Sequence, residues 1–431
     1  MKVLVLGGGG REHTLVWKIA QSELVEKVYC IPGNAGIAKS AMCKEVDLEP
    51  TFQPLVGLVL EAKIDLVVVG PEAPLARGVV NVFGPWWLKE TFGTPPKVFG
   101  PSQKAAQIES SKIFSKELMW LNAIPTPYAR VFYNPGPAMD YINKVGAPIV
   151  VKADGLAAGK GSIVCKTVED ALNAVKLMML DKQFGDAGKG ILVEEFLEGE
   201  EVSFIAFTDG KNVLPMDTSQ DHKPIYEGGP NTGGMGAYSP VPVVTPELQQ
   251  EIMDTIMKPA VMAMAAEGNP YKGVLYAGLM IIDGRPKVLE FNARMGDPET
   301  QAVLPRMKSD IVPIMLACID GTLDKMQIEW TDEPAVCVVM ASGGYPGSYE
   351  KGKVIRGLKA ADMMEDVIVF HAGTAMKDHD IVTNGGRVLG VTALGTDIKN
   401  AKDRAYEAVG RISWPGAYYR RDIGYRALAR L

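Results

Sequence analysis

The sequence predicts a multidomain protein of mixed α/β and α+β class. We expect an N-terminal parallel α/β domain over residues 1–102. A central domain follows over 103–325, carrying a mobile β-rich lobe at about 122–190, and a small C-terminal α/β domain covers 326–431. Three observations lead there. The chain has 431 residues, more than one hydrophobic core serves well. Strand and helix signals alternate through the first hundred residues, the pattern of a parallel sheet. Beyond a Pro/Gly-rich stretch at Gly93–Ser102, short β-type runs dominate.

The N-terminal elements read in order. Val3–Leu6 is an apolar run that ends in Gly7–Gly10, and a helical stretch, His13–Ser22, follows. Val28–Ile31 is closed by Pro32-Gly33, and Asp65–Val69 by Gly70-Pro71. Ligands of such sheets sit at the carboxyl ends of the strands. After the boundary a helix is expected at Ala105–Leu121. Strands are expected at Ile149–Lys152, Ser162–Lys166, Ile191–Phe196 and Val202–Thr208, with a helix near Val168–Leu180 between them. Gly228–Pro240 reads as a loop and Pro246–Glu267 as a long helix. Leu275–Asp283 and Lys287–Phe291 read as strands joined by the turn Asp283-Gly284-Arg285-Pro286. The last domain shows strands at Ala335–Ala341, Val367–Ala372 and Arg387–Ala393, then a helix near Ile398–Ser413.

Composition narrows the class. Hydrophobic residues make up 47% and charged residues 22%, an ordinary globular balance. A net charge of -6 leaves no basic footprint for nucleic acid. The five cysteines form no CxxC pair and are odd in number, which argues against a disulfide framework or zinc site. Each is expected as a small buried apolar residue. No segment nears the roughly 20 apolar residues of a membrane span. The N-terminal apolar run is too short for a signal peptide. A cytoplasmic enzyme acting on small molecules, with no membrane or nucleic-acid partner, is the expectation.

Five stretches carry chemistry. Gly7-Gly8-Gly9-Gly10-Arg11-Glu12-His13 follows a strand and opens a helix, where backbone N–H groups favour an anion. A dinucleotide site would need an acid at the end of the next strand; Ile31 is followed by Pro32, so a phosphate or phosphosugar fits better. Gly33-Asn34-Ala35-Gly36 and Gly70–Leu75 open on the same rim. Lys152-Ala153-Asp154-Gly155-Leu156-Ala157-Ala158-Gly159-Lys160-Gly161 resembles a Walker A loop, but the spacing is one residue short and no Ser or Thr follows Lys160. Lying between two strands, it reads as a flap over nucleotide phosphates. Glu194-Glu195-Phe196-Leu197, with Glu198, Glu200 and Glu201, offers acceptors to an adenine amino group and ribose hydroxyls; alone, a solvated acidic turn is the better reading. In Glu290-Phe291-Asn292-Ala293-Arg294 the alternation of a strand puts Glu290, Asn292 and Arg294 on one face. Two hard oxygens suit Mg²⁺ completed by phosphates, and the arginine can neutralise an anion. Asp221-His222-Lys223, followed by the loop Gly228–Ala237, reads as a substrate loop.

Together these strings resemble the ATP-grasp superfamily and, within it, the phosphoribosylamine–glycine ligase family. The resemblance runs nearly end to end. The Lys-Gly-rich loop and the Glu290-Phe291-Asn292 strand are similar to ATP-grasp ligases at large. Gln220-Asp221-His222-Lys223 and Pro230–Tyr238 carry the narrower likeness. It implies a pre-ATP-grasp N-terminal domain, a central ATP-grasp domain and a monomer. It also implies ligation of glycine to 5-phosphoribosylamine through a glycyl phosphate, with ATP and Mg²⁺ or Mn²⁺. By resemblance, Lys112 and Lys152 contact phosphates, with Gly155, Gly159, Lys160 and Gly161 in the closing loop. Glu194, Glu195 and Leu197 form the adenine hinge and Glu201 meets the ribose. Glu290 and Asn292 hold the metal. The phosphosugar amine is expected at Gly10, Arg11, Glu12, His13, Asn34 and Glu72. Lys223, Arg294 and Asp297 are the catalytic candidates, with Asp221, His222, Pro298 and Glu299 beside the substrate. Two positions depart from the family pattern: Pro224 stands where an arginine is usual, and Leu279-Met280-Ile281 lacks a further acidic ligand.

The chemistry asks for this combination. A carboxylate becomes electrophilic only when phosphorylated, and bringing two anions together needs neutralising charge. The acyl phosphate must also be kept from water. No Ser or Cys nucleophile paired with His is visible. The alternatives are a sister ATP-grasp enzyme using bicarbonate or formate, and a nicotinamide dehydrogenase, against which the missing acid after Ile31 argues.

Overall fold

The computed structural model describes residues 1–84, 93–157, 161–181, 183 and 185–430. The N-terminal sheet is wholly parallel. Its strand order is Met42–Cys43, Lys27–Pro32, Lys2–Gly7, Leu66–Val69, Lys97–Phe99. Lys2–Gly7 and Leu66–Val69 are buried almost throughout, as parallel strands covered on both faces must be. The order reverses between these two strands, so the loops after Gly7 and Val69 part, and the Glu12 side chain fills the space between Gly7 and Gly70.

Two antiparallel sheets follow. The lobe sheet orders Ala129–Phe132, Ile191–Glu195, Ile149–Ala153 and Ser162–Cys165. It has its own core, where Ile149, Val151 and Val193 pack on Ile142, Val175 and Met178. The body sheet orders Val213–Pro215, Glu200–Asp209, Lys272–Ile282 and Arg285–Asn292. The C-terminal sheet contains Ala335–Ala341, Arg387–Leu394 and Val367–His371, backed by the helix Ile398–Arg411. Asp397 caps that helix, accepting from the Asn400 N–H at 2.8 Å. Its buried face is built from Ala401, Ala405 and Ala408, small enough to let it lie close on the strands.

The structure corrects several local expectations. The helix expected at 105–121 breaks at Ser111, which adopts extended backbone and caps Lys112–Leu121. Within the expected loop 228–240, Gly236–Ser239 is a strand. It pairs with Gln220–Asp221 and with Ala335–Ala341, so a piece of the central stretch is built into the C-terminal sheet. The turn expected over 283–286 shrinks to Asp283-Gly284, both at positive φ, which the twist of a two-residue hairpin requires. Pro286 instead pairs in the strand, tolerated because Arg285–Asn292 is the sheet's edge. The long helix forms as Pro246–Ile252 and Lys258–Ala266 with a wider turn, Met253–Met257, between. Pro259 offers no N–H and crowds the preceding turn, which the widening relieves. A hairpin, Thr374–Lys377 with Asp380–Thr383, had no sequence reading.

Cys30, Cys165, Cys318 and Cys337 are buried and Cys43 is half-buried, all as free thiols. Among the described residues, no helix is long and apolar enough to cross a membrane.

Candidate active site

A cleft of about 270 Å³ opens between the lobe and body sheets. Its floor is the strand Arg285–Asn292, and its lobe side is supplied by Ile149–Ala153 and Ile191–Glu195. Sixteen of the expected residues line it. Lys112, Lys152, Gly155 and Gly161 stand at one end, and Glu194, Glu195, Leu197 and Glu201 along the hinge. Glu72, Asp221, Lys223 and Glu290 lie further in, with Asn292, Arg294, Asp297 and Glu299. Gly159 and Lys160 lie outside the described residues.

Lysine positions follow from their tethers. Lys152 donates to Leu289 O at 2.8 Å and pairs with Glu194 Oε2 at 2.7 Å. Lys112, first in its helix, donates to Gly155 O at 2.8 Å, so the helix holds the near end of the flap. Burial pushes its ammonium below the usual lysine range, against the pull of Glu290. Lys223 pairs with Glu201 at 3.1 Å and reaches Glu290 at 3.8 Å. Glu201 first, against the cost of burial, raises its pKa well above the ordinary value. Burial opposes ionisation of Glu290, yet Lys223, Lys152, Lys112 and Arg294 together hold its carboxyl below the usual range. Its basic neighbours thus favour a charged carboxylate on the cleft floor.

At the inner end, Arg294 is ringed by acceptors. Its Nη2 lies 2.9 Å from Glu109 Oε1 and 3.0 Å from Asn292 Oδ1, and its Nε lies 3.3 Å from Glu72 Oε2. Burial costs this guanidinium charge, but Glu109 and Glu72 more than restore it. Glu299 is buried and accepts from Tyr276 at 2.6 Å and Ser203 at 3.0 Å. Asp221 lines the cleft with a buried Oδ1 that meets no hydrogen-bond partner among the described residues. Burial, then nearby Glu299, raises its pKa well above the carboxylate range. A buried acceptor without a donor is costly unless a bound molecule supplies one.

Other expectations are not met as read. Glu194 does not present a free carboxylate to a base: Lys116 takes Oε1 at 2.9 Å and Lys152 takes Oε2. His222 is buried away from the cleft lining. Its Nδ1 lies 3.3 Å from Gly236 O, and its Nε2 accepts from Gly424 N at 3.2 Å. Burial pushes its pKa down to about 3, so the ring is neutral and structural. Gly10, Arg11, Glu12, His13 and Asn34 form the neighbouring rim rather than the cleft wall. Asn34 donates to Gly8 O and His371 O and accepts from Gly36 N and Ile37 N, each at 2.9 Å. His13 Nδ1 accepts from His371 N at 2.7 Å, and burial, then Lys39, lowers its pKa to about 4. These residues join the N-terminal domain to the C-terminal strand Val367–His371. The rim meets the cleft through Glu72, 3.8 Å from Arg11 and 3.3 Å from Arg294. Pro298 packs behind the wall, against Gly234.

Three contributors had no sequence reading. Glu109 accepts from Ala293 N at 2.7 Å while pairing Arg294. Arg387, from the C-terminal sheet, grips Asp297 by Oδ2 at 3.1 Å and by its backbone carbonyl at 2.6 Å. Lys116, also in the cleft lining, pairs with Glu194. Its signal was present: Ile113, Lys116 and Met119 share one buried helix face, so a lysine occupies an apolar repeat.

Two oxygens, Glu290 and Asn292, on one strand face fit a divalent cation completed by phosphates. Among the described residues no group of three or more His, Cys, Asp or Glu is placed to hold a metal.

Three family models tile the chain: the phosphoribosylglycinamide synthetase N domain over 1–109, its ATP-grasp (A) domain over 110–300 and its C domain over 335–426. A phosphoribosylamine–glycine ligase of Vibrio parahaemolyticus is 53% identical over all of this chain and 99% of its own length. The Salmonella typhimurium protein of the same name is 53% identical, with the same coverage. The crystal structure of the Thermotoga maritima ligase matches with a TM-score of 0.83 at 32% identity, over 98% of this chain and all of that one. A biotin carboxylase domain from Hydrogenobacter thermophilus, in complex with MgADP, shares the fold at 17% identity. Its TM-score is 0.72, over 97% of this chain and 91% of that one.

Proposed function

This chain belongs to the phosphoribosylglycinamide synthetase family, and from that premise we propose how its cleft performs the family's chemistry. The enzyme joins glycine to 5-phosphoribosylamine at the expense of ATP, through a glycyl phosphate. The products are glycinamide ribonucleotide, ADP and phosphate, a step of purine biosynthesis.

One observation carries the assignment of roles: Lys112, Lys152 and Lys223 line the same cleft as Glu290, with Lys223 3.8 Å from its carboxylate. The triphosphate lies between them, with Lys112 and Lys152 on phosphate oxygens and the loop Gly155–Gly161 closing over it. The segment from Glu195 to Leu197 receives the adenine and Glu201 the ribose. Glu290 and Asn292 would hold a divalent ion, Mg²⁺ or Mn²⁺; when bound, it supplies positive charge beside the phosphates. Arg294 orients the glycine carboxylate for attack and steadies the developing charge. Glu109 and Glu72 hold that arginine in place, and Arg387 fixes Asp297. Asp221, with Lys223 and Glu299, lies where a donor from the substrate amine can complete its unpaired oxygen. The phosphoribosylamine enters along the rim of Gly10, Arg11 and Glu72. We infer a monomer acting in the cytoplasm on small molecules; analytical ultracentrifugation tests the monomer.

ADP release with freshly generated phosphoribosylamine tests the whole reading. It must depend on glycine. Release driven by bicarbonate or formate instead would move the chain to a sister activity.

A further inference from the structure

We propose that Lys116 is a positioning residue for the nucleotide: it fixes the charge of the Lys152 site by neutralising Glu194. The inference rests on the cleft binding ATP as proposed above. Lys116 has a side chain only 2% exposed, and Glu194 matches it at 2%. Lysine is rarely buried so fully without a specific partner. Its ammonium is shared among Glu194 Oε1 at 2.9 Å, Thr126 Oγ1 at 2.6 Å and Pro127 O at 3.4 Å. Thr126 in turn donates to Val288 O at 2.8 Å, on the cleft-floor strand. Glu194 Oε2 is thus left for Lys152, which also binds Leu289 O on that strand.

The charge count decides the function. Lys152 and Glu194 alone would cancel, and a neutral pair attracts no phosphate. With Lys116 added, two ammonium groups share one carboxylate in a dry site. One positive charge is left over; all three side chains border the cleft, and Lys152 is the one whose head lies between Glu194 Oε2 and the floor-strand carbonyl of Leu289. Burial lowers the Lys116 pKa while Glu194 and the like charge of Lys152 act against each other on it, as this crowding requires. The arrangement leaves a net positive charge beside Lys152, where an anion is to arrive, while the Lys116 ammonium stays on Glu194, Thr126 and Pro127.

The test is a charge-balance cycle read by calorimetric ATP affinity with Mg²⁺ present, and by KM for ATP against kcat. Lys116→Met keeps the volume and leaves Glu194 to cancel Lys152. ATP binding should weaken about tenfold or more, with KM rising more than kcat falls. The double variant K116M/E194Q removes the compensating pair as a unit and leaves the Lys152 charge intact. It should recover to within about threefold of wild type, a coupling that independent structural roles would not give. K116R, which keeps the charge, should bind better than Lys116→Met. Wild-type affinity in Lys116→Met overturns the proposal, as does a double variant no tighter than the single one. If the single variant does not fold, the double variant still decides, since weak binding there has the same meaning. Failure of the wild type itself to bind ATP would sink the nucleotide reading instead.

Discussion

Two glycine-rich loops in this chain look alike as strings and differ as objects. In Gly7–Gly10 the glycines are close-packed. A Cβ on Gly7 would lie 2.4 Å from Glu12 Cγ, one on Gly8 2.5 Å from Gly33 O, and one on Gly10 2.4 Å from Gln301 Nε2. The helix start they lead into already has an anion: Glu12 Oε2 accepts from Gly9 N at 2.7 Å, and Oε1 pairs with Arg11. In the Gly155–Gly161 loop, a Cβ on Gly155 or Gly161 would meet only alanine methyls of the lobe below 3 Å, those of Ala187 and Ala157. The described ends of this loop border the cleft, Gly155 O accepting from Lys112 and Gly161 O from Ala153 N. The first loop spends its glycines on packing, whereas the described glycines of the second border the cleft proposed to take the nucleotide.

The contrast can be broken or sharpened by substitution. The largest effect belongs to the cleft. Glu290→Ala should cut kcat about 100- to 1000-fold while leaving the melting temperature unchanged; normal turnover would remove the metal-site reading. Next is the rim. Glu12→Ala leaves buried Arg11 short of its partner and uncaps the first helix, and should cost about 3 kcal/mol in denaturant unfolding. ATP affinity should hold in the folded fraction, and a selective loss of ATP binding would erase the distinction between the loops. Lys152→Ala should weaken ATP binding about tenfold by calorimetry, with little loss of stability, because Lys116 still pairs Glu194.

The smallest effect at neutral pH concerns the rim histidines. His13 has a folded pKa of about 4 and His371 of about 3, both lowered chiefly by burial. The unfolded chain therefore takes up these protons first, near pH 6.5. Stability should be highest above that value and decline as pH falls toward 4. Replacing His371 with Gln should flatten the decline in a series of thermal melts; an unchanged slope would assign it elsewhere.

Much of the cleft could be read from local pattern. Strand alternation puts Glu290, Asn292 and Arg294 on one face; all three line the cavity, but so do Leu289 and Phe291, and the strand ends at Asn292, before Arg294. Glycine and lysine spacing marked the flap. The misreadings share a cause: residue type was visible but partners were not. Asn34 and His222 look like ligand-binding residues until their hydrogen bonds are seen to end on backbone. Glu194 looked like an acceptor before Lys116 and Lys152 were found on it. Glu109 and Arg387 reach Arg294 and Asp297 from 185 and 90 positions away in the chain, where no short-range rule operates.

The strand Gly236–Ser239 ties the central part of the chain into the C-terminal sheet, between Gln220–Asp221 and Ala335–Ala341. A version cut after residue 325 would therefore lose more than an appendage. Gly236–Ser239 would be left as a raw edge, its outward N–H and C=O groups open to a neighbouring molecule and to aggregation. Arg387 would go too, releasing the Asp297 turn inside the cleft. The C-terminal module is thus not detachable, and engineering by module exchange should cut elsewhere.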